Sequence, residues 1–395
     1  MAIRAKSLSE GMLAQRTVQE PRPAPQLLTP PELRVSMPDE VTVAASVAKI
    51  LTSGTLTNGA TVRELEARAA SYLGVRHCIG VASGTAAMTM TLGALEALGE
   101  AVMPSLSSTA MLHAARAAGF DPVLADVDPF TLAMTVETVR GRIGTRTAVI
   151  VATHPHGAPA DAEALTALAT AHGVRIVFDA ASAFGSEHGG RMVGGFGDAE
   201  VFSLSSTRML VAGEGGLIAT DDDLLAQRCR QMRDEQDPAR TERPVCMNAR
   251  MSELHAAVAL ASFDSLDVRL DVRRNLARRY REALQDVPGV SFPGGTEGDL
   301  STHRAFVVLL DPAFGREPAD VASMLRARGI DAHLTYPMPL HRVRGRAHAG
   351  AEQLPGTGSV ASRALSLPIW DRMGSAELDA VVRALRACST GHTLI

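Results

Sequence analysis

Residues 175–182 read RIVFDAAS, and residues 199–210 read AEVFSLSSTRML. In each, a short apolar run runs into polar residues: Asp179 closes the first, and Ser203, Ser205, Ser206, Thr207 and Arg208 follow the second. Such runs without alternation fit strands buried on both faces of a parallel sheet. Ligands of open α/β sheets bind outside the carboxyl ends of these strands. A carboxylate at that edge needs a cationic partner to offset its desolvation, so Asp179 is either half of a structural ion pair or a ligand-holding group. Arg208 adds a permanent charge with a planar donor fork, beside hydroxyls that can hold oxyanions.

Outward from these runs, apolar strands alternate with amphipathic helices. VTVAASVAKIL (41–51) and VRELEARAASYL (62–73) read as helices, then HCIGVAS as a strand, TAAMTMTLGALEAL as a helix, AVMP as a strand and TAMLHAARAAG as a helix. PVLADVD and TAVIVAT read as strands, followed by a helix over DAEALTALATAHG and a strand at GGLIATD. Strands separated by single helices imply a parallel sheet covered on both faces. Before this pattern, residues 1–33 hold PRPAPQLLTPPE, whose prolines predict an extended arm. LDVRLDVRRNLARRYREALQDVPG predicts a long arginine-laced helix closed by Pro288 and Gly289, its arginines on a solvated face. The boundary falls there: a large α/β domain over 34–262 and a small C-terminal α+β domain over 263–395.

Composition narrows the function. The chain has 395 residues, 46% hydrophobic and 21% charged, with a net charge of −4. That balance implies neither nucleic acid nor a membrane surface as partner. The apolar run around Ala148 to Ala152 is far too short to span a bilayer, and a cytoplasmic protein is expected. Cys78, Cys229, Cys246 and Cys388 lie far apart and read as buried thiols rather than a metal or disulfide framework. Lysine occurs only at Lys6 and Lys49; the other 37 of the 39 basic residues are arginine. Chemistry that needs an amine side chain must use one of those two.

Two further segments can carry chemistry. Ser83-Gly84-Thr85 lies between a strand and a helix, where free N–H groups and the helix dipole favour an anion; a plain helix cap is the alternative. His154 and His156 follow a strand at the same sheet edge and are candidate proton carriers, with loop packing as the alternative. No third ligand accompanies this pair, so no metal is expected.

Together these segments resemble one family, the DegT/DnrJ/EryC1/StrS sugar aminotransferases, which have the fold type I architecture of pyridoxal-phosphate (PLP) enzymes. The resemblance runs from about Arg34 to the C-terminus through SGTLTNGATVRELE, SGTAAM, DPVLADVDPFTL, HPHGAPADAEAL, FDAASAFGSEHGGRMVGGFGDAEVFSLSSTRML, GEGGLIAT, MNARMSELHAAVAL, YPMPLH and SRALSLPIW. It implies that Gly84 and Thr85, assisted by Ser203, hold the cofactor phosphate. It gives Asp179 the pyridinium nitrogen and places Ser182 where a Gln or His touches the ring hydroxyl. Asn248 stands where the family reaches across a dimer interface into the neighbour's site, implying a homodimer, or a heterodimer with a lysine-bearing relative.

The departures gather where the chemistry is. The family's motif ends in the lysine that anchors the cofactor and later moves the proton; here that position is Arg208. Arginine stays protonated and is a poor nucleophile, so it does neither. The ring-stacking aromatic falls near Ser108, and no lysine lies beyond Lys49. The expectation is an enzyme acting on a sugar-like or other small biosynthetic intermediate without lysine-dependent transamination. PLP or its aminated form (PMP) would be held non-covalently, or no cofactor used. The alternatives are a silent subunit that completes an active relative's site, and a PMP-dependent dehydratase or residual aminotransferase.

Overall fold

A computed structural model describes residues 38–234, 247–296, 298–343 and 354–389; the arm assigned to residues 1–33 and Cys246 lie outside them. Along the chain run α1 (Glu40–Ser53), α2 (Ala60–Leu73), β1 (His77–Val81), α3 (Gly84–Ala94), β2 (Glu100–Pro104), α4 (Thr109–Ala117), β3 (Asp121–Ala125), α5 (Val136–Arg140) and β4 (Thr147–Thr153). Next come α6 (Ala162–His172), β5 (Arg175–Asp179), the hairpin β6 (Glu187–His188) and β7 (Arg191–Met192), β8 (Ala199–Ser203), β9 (Gly216–Thr220), α7 (Asp223–Asp234), α8 (Glu253–Phe263) and α9 (Leu266–Leu284). The rest holds β10 (Val290–Ser291), β11 (Phe306–Leu310), α10 (Pro318–Arg326), β12 (His333–Leu334), α11 (Pro355–Arg363), β13 (Ala364–Leu367) and α12 (Ser375–Arg386).

Among the described residues a seven-stranded sheet has the order β1-β9-β8-β5-β4-β2-β3. The pairs β8/β5, β5/β4, β4/β2 and β2/β3 are parallel. β9 runs antiparallel to both β8 and β1, so the parallel sheet implied by the alternation is only mostly parallel. The reason is local. β8 returns to β9 through the turn after Ser203 with no intervening helix, and a direct return makes an antiparallel pair.

Successive residues of each strand face opposite cores. Ile150 and Ala152 of β4 join α2, α6 and α8, whereas Val149 and Val151 join α3, α4 and α7. A third cluster packs the four-stranded antiparallel sheet β10-β11-β13-β12 against α9, α10 and α12, with Tyr280 stacked on Phe306 at 4.7 Å. The fold is thus α/β: a large, mostly parallel sheet flanked by helices, plus a small antiparallel sheet.

The arginines of α9 depart from a purely solvated face, because Arg269 and Arg273 are buried. Arg269 donates to the Ser262 carbonyl at 2.6 Å, and Arg273 donates to the carbonyls of His303 and Arg304, both at 3.2 Å. Each guanidinium thus satisfies backbone carbonyls, Arg269 that of the preceding helix end and Arg273 those leading into β11. Burial also pushes the Arg273 guanidinium down to about 10. Cys78, Cys229 and Cys388 are buried thiols, as expected. Among the described residues no helix is long and apolar enough to cross a membrane.

Candidate active site

Strands β1, β2, β4, β5 and β8 all end at one edge of the large sheet, and a cavity of about 480 Å³ opens there. Gly84 and Thr85 enter it from the start of α3, Ser108 from α4, His154 and His156 from the loop after β4, and Asp179 and Ser182 from the end of β5. Ser203 and Arg208 enter from β8 and its turn, and Arg304, His333 and Tyr336 close it from the smaller sheet. Sequence separation gives no hint of this convergence; the parallel topology produces it.

The α3 end is built for close approach. Ser83 is extended and its hydroxyl accepts the N–H of Ala86 at 3.1 Å, fixing the first turn. The N–H groups of Gly84 and Thr85 have no partner within the helix, as in any first turn. A Cβ added at Gly84 would lie 2.9 Å from Ser203 Cβ, so only glycine lets β8 pass this close. The result is a cradle of N–H groups with the Ser203 hydroxyl beside it, chemistry suited to a phosphate.

Across the cavity, Asp179 Oδ1 accepts the N–H of Ala181 at 3.0 Å. Burial pushes its carboxyl above the usual range, and the Ala181 N–H, the Arg208 charge and His154 oppose that rise. A carboxylate desolvated in this way is stabilised by a cationic partner, such as a protonated ring nitrogen. Arg208 is delivered by a folded turn, in which the Leu204 N–H meets the Gly215 carbonyl at 2.9 Å and the Ala212 N–H meets the Leu204 carbonyl at 2.8 Å. Its Nη1 donates to Ser182 Oγ at 2.9 Å. Ser108 lies at the start of α4 and contributes a hydroxyl, not a ring.

The two histidines differ. His154 Nδ1 accepts the Ala160 N–H at 2.9 Å, which leaves Nε2 to donate to Glu200 Oε2 at 3.1 Å. Both side chains are completely buried, and Glu200 Oε1 also takes the N–H groups of Gly194 and Phe196. Both nitrogens of His154 are thus engaged in holding the loop, while its side chain also borders the cavity. His156 sits at φ 54° with its ring 5.2 Å from that of Tyr336, at the cavity wall.

Asn248 is not brought into the cavity of its own chain. It is exposed and accepts from Arg250 Nε at 3.2 Å. Lys49 is exposed on α1, and among the described residues no lysine lines the cavity.

Tyr336 and Arg304 escaped the sequence reading. Burial and Asp179 push the Tyr336 phenol up, while Arg304 and Arg208 oppose this, so the phenol shares its field with both guanidiniums. In the sequence, Tyr336 stands out only as one of three tyrosines, before a proline, and Arg304 only as the charge before the apolar run AFVVLL.

Known proteins resemble the chain over most of its length. The DegT/DnrJ/EryC1/StrS aminotransferase family model matches residues 39–386. A UDP-N-acetyl-3-dehydro-alpha-D-glucosamine 3-aminotransferase of Acidithiobacillus ferrooxidans is 32% identical over 349 residues, 87% of this chain and 93% of that protein. A dTDP-3-amino-3,4,6-trideoxy-alpha-D-glucose transaminase of Micromonospora megalomicea subsp. nigra is 32% identical, covering 88% of this chain and 94% of its own. The crystal structure of DesI with its TDP-sugar product superimposes with a TM-score of 0.85 at 35% identity, covering 91% of this chain and 92% of that one. By sequence and by fold, the chain belongs to the DegT/DnrJ/EryC1/StrS aminotransferase family.

Proposed function

We propose that this chain is a sugar-biosynthetic enzyme of its family that holds PLP or PMP without a covalent bond and works by chemistry other than lysine-dependent transamination. The observation that carries this reading is the Arg208 guanidinium beside Asp179, in a cavity that no lysine lines among the described residues. The relatives' names point to a nucleotide-linked sugar as the substrate class.

The residues at both ends of the cavity suit the cofactor. The first turn of α3 and the Ser203 hydroxyl hold the phosphate, and Asp179 keeps the ring nitrogen protonated. When bound, the cofactor supplies an electron sink for charge developing on the substrate. Arg208, fixed by Ser182, binds a substrate anion or stabilises a developing oxyanion, and being always protonated it leaves proton transfer to other groups. His156 and the Tyr336 phenol stand at the wall where that proton moves.

A silent-subunit reading is favoured by one observation: Asn248 is exposed and does not line the cavity of its own chain, so it is available to a partner's. α1 exposes Val41 at 71% and Leu51 at 62%, apolar surface suited to a second chain. We place the protein in the cytoplasm as a homodimer, with a lysine-bearing relative as the alternative partner.

The test is to purify the chain, add PLP or PMP, and read retained cofactor by absorbance in the wild type and in Arg208→Lys. Retention by the wild type with a spectral shift in the variant supports the enzyme reading. Retention by neither overturns it, and co-purification with a lysine-bearing relative supports the silent subunit.

A further inference from the structure

Thr302 belongs to the stretch 301–305 that leads into β11, and it is completely buried. Its Oγ1 donates to the Ser182 carbonyl at 2.7 Å, and among the described residues no other group donates to that carbonyl. Ser182 in turn takes Arg208 Nη1 on its Oγ at 2.9 Å. One hydroxyl from the approach to the smaller sheet therefore holds the peptide whose side chain holds the guanidinium of the cavity.

The fit around Thr302 is close. Gly157, in the loop after β4, has φ 87°, and a Cβ there would lie 1.9 Å from Thr302 Oγ1 and 2.8 Å from the Ser182 carbonyl oxygen. Both its backbone and its surroundings demand glycine. Ser186 Oγ donates to the Gly157 carbonyl at 2.6 Å and accepts the Thr302 N–H at 3.3 Å, while the Arg304 N–H meets the His156 carbonyl at 3.1 Å. From α9, Arg273 donates to the carbonyls of His303 and Arg304, and Arg274 Nε donates to that of Ser301 at 3.3 Å. The stretch 301–304 is thus a fixed reference for the loop after β5.

Arginine has a long side chain with much rotamer freedom, so placing its guanidinium requires acceptors that do not move. The Ser182 hydroxyl follows its own peptide, and Thr302 fixes that peptide. Without the Thr302 hydroxyl the Ser182 carbonyl loses its donor, and a carbonyl left unpaired away from water is relieved only by movement. Arg304, two residues on, lines the same cavity as Arg208, so one stretch of chain sets guanidiniums that enter from both sheets.

We propose that Thr302 is a positioning residue for Arg208, acting through the Ser182 peptide. The proposal rests on the reading of Arg208 as the working cation of the cavity. It adds a residue that touches neither Arg208 nor the reacting groups and still decides where that cation stands.

The test is the double-mutant cycle of Ser182→Ala and Arg208→Ala, read by urea unfolding of the full chain and repeated with Thr302→Val and with Thr302→Ser. With Thr302 in place the coupling should be about fivefold in the unfolding equilibrium constant. Thr302→Val should erase it, and Thr302→Ser, which keeps the hydroxyl, should preserve it. Thr302→Ala, which removes the hydroxyl without adding a methyl beside the Ser182 carbonyl, serves in the same way if Thr302→Val does not fold. A merely structural threonine would lower the stability of every member of the cycle and leave the coupling intact, and that result overturns the proposal. So does a coupling lost equally in Thr302→Ser, or one absent with Thr302 in place. The cycle uses no cofactor, so failure to retain PLP or PMP would overturn the proposed function without altering this result.

Discussion

Arg208 Nη1 donates to Ser182 Oγ at 2.9 Å. The two positions where the resemblance expects a lysine and a Gln or His are therefore in contact, and their changes form one unit. A short side chain at 182 makes room for the guanidinium and gives it an acceptor. A double-mutant cycle of Ser182→Ala and Arg208→Ala, read by urea unfolding, should give a coupling of about 1 kcal/mol. Additive effects would show that the contact carries no energy.

The N–H cradle at the start of α3 is set by one missing methyl. Gly84→Ala places a Cβ 2.9 Å from Ser203 Cβ and 3.2 Å from Ser203 Cα, both rigid on a central strand. Overpacking of this kind costs about 1–3 kcal/mol, against a helix-propensity gain of about 1 kcal/mol for alanine. Retention of PLP or PMP should fall. Unchanged retention in Gly84→Ala would show that the α3 end does not hold the phosphate.

His154 and Glu200 form a buried pair that anchors the loop carrying His156. Removing the imidazole leaves a buried carboxylate without one of its donors, so His154→Ala should destabilise the chain by about 3 kcal/mol in urea unfolding. His154→Gln, which can still donate to Glu200, should recover part of that loss. A variant of normal stability with abolished turnover would assign His154 the role of proton carrier.

Stability should depend on pH through His303. Burial, then the charges of Arg281, Arg274 and Arg273, push its imidazole from 6.5 down to about 4. The unfolded chain takes up this proton first, so the histidine costs nothing above the unfolded value. Stability is lost as pH falls from about 6.5 towards about 4. Urea midpoints across that window should slope less in His303→Gln than in the wild type, and equal slopes would assign the dependence to other groups.

Much of the frame was legible in the sequence because apolar runs and helical periods are local signals; TAVIVAT coincides with β4 from end to end. Segments ending in polar residues also located most of the pocket, since every parallel strand delivers its carboxyl end to one edge. What stayed hidden depends on partners distant in sequence. Glu200 looks like a stray charge in a strand until His154, Gly194 and Phe196 close around it, and Arg273 looks solvated until the carbonyls of His303 and Arg304 are seen beneath it. Asn248 illustrates the converse: its motif is plain, but one chain does not bring it to its own cavity.

The central claim concerns a missing amine, and borohydride trapping tests it most directly. The chain is incubated with PLP, reduced, digested and searched by mass spectrometry for a cofactor fixed to a side chain. No adduct is expected in the wild type, and a single adduct is expected at position 208 in Arg208→Lys. A stoichiometric wild-type adduct on Lys49 or Lys6, accompanied by ordinary amino transfer, would contradict it.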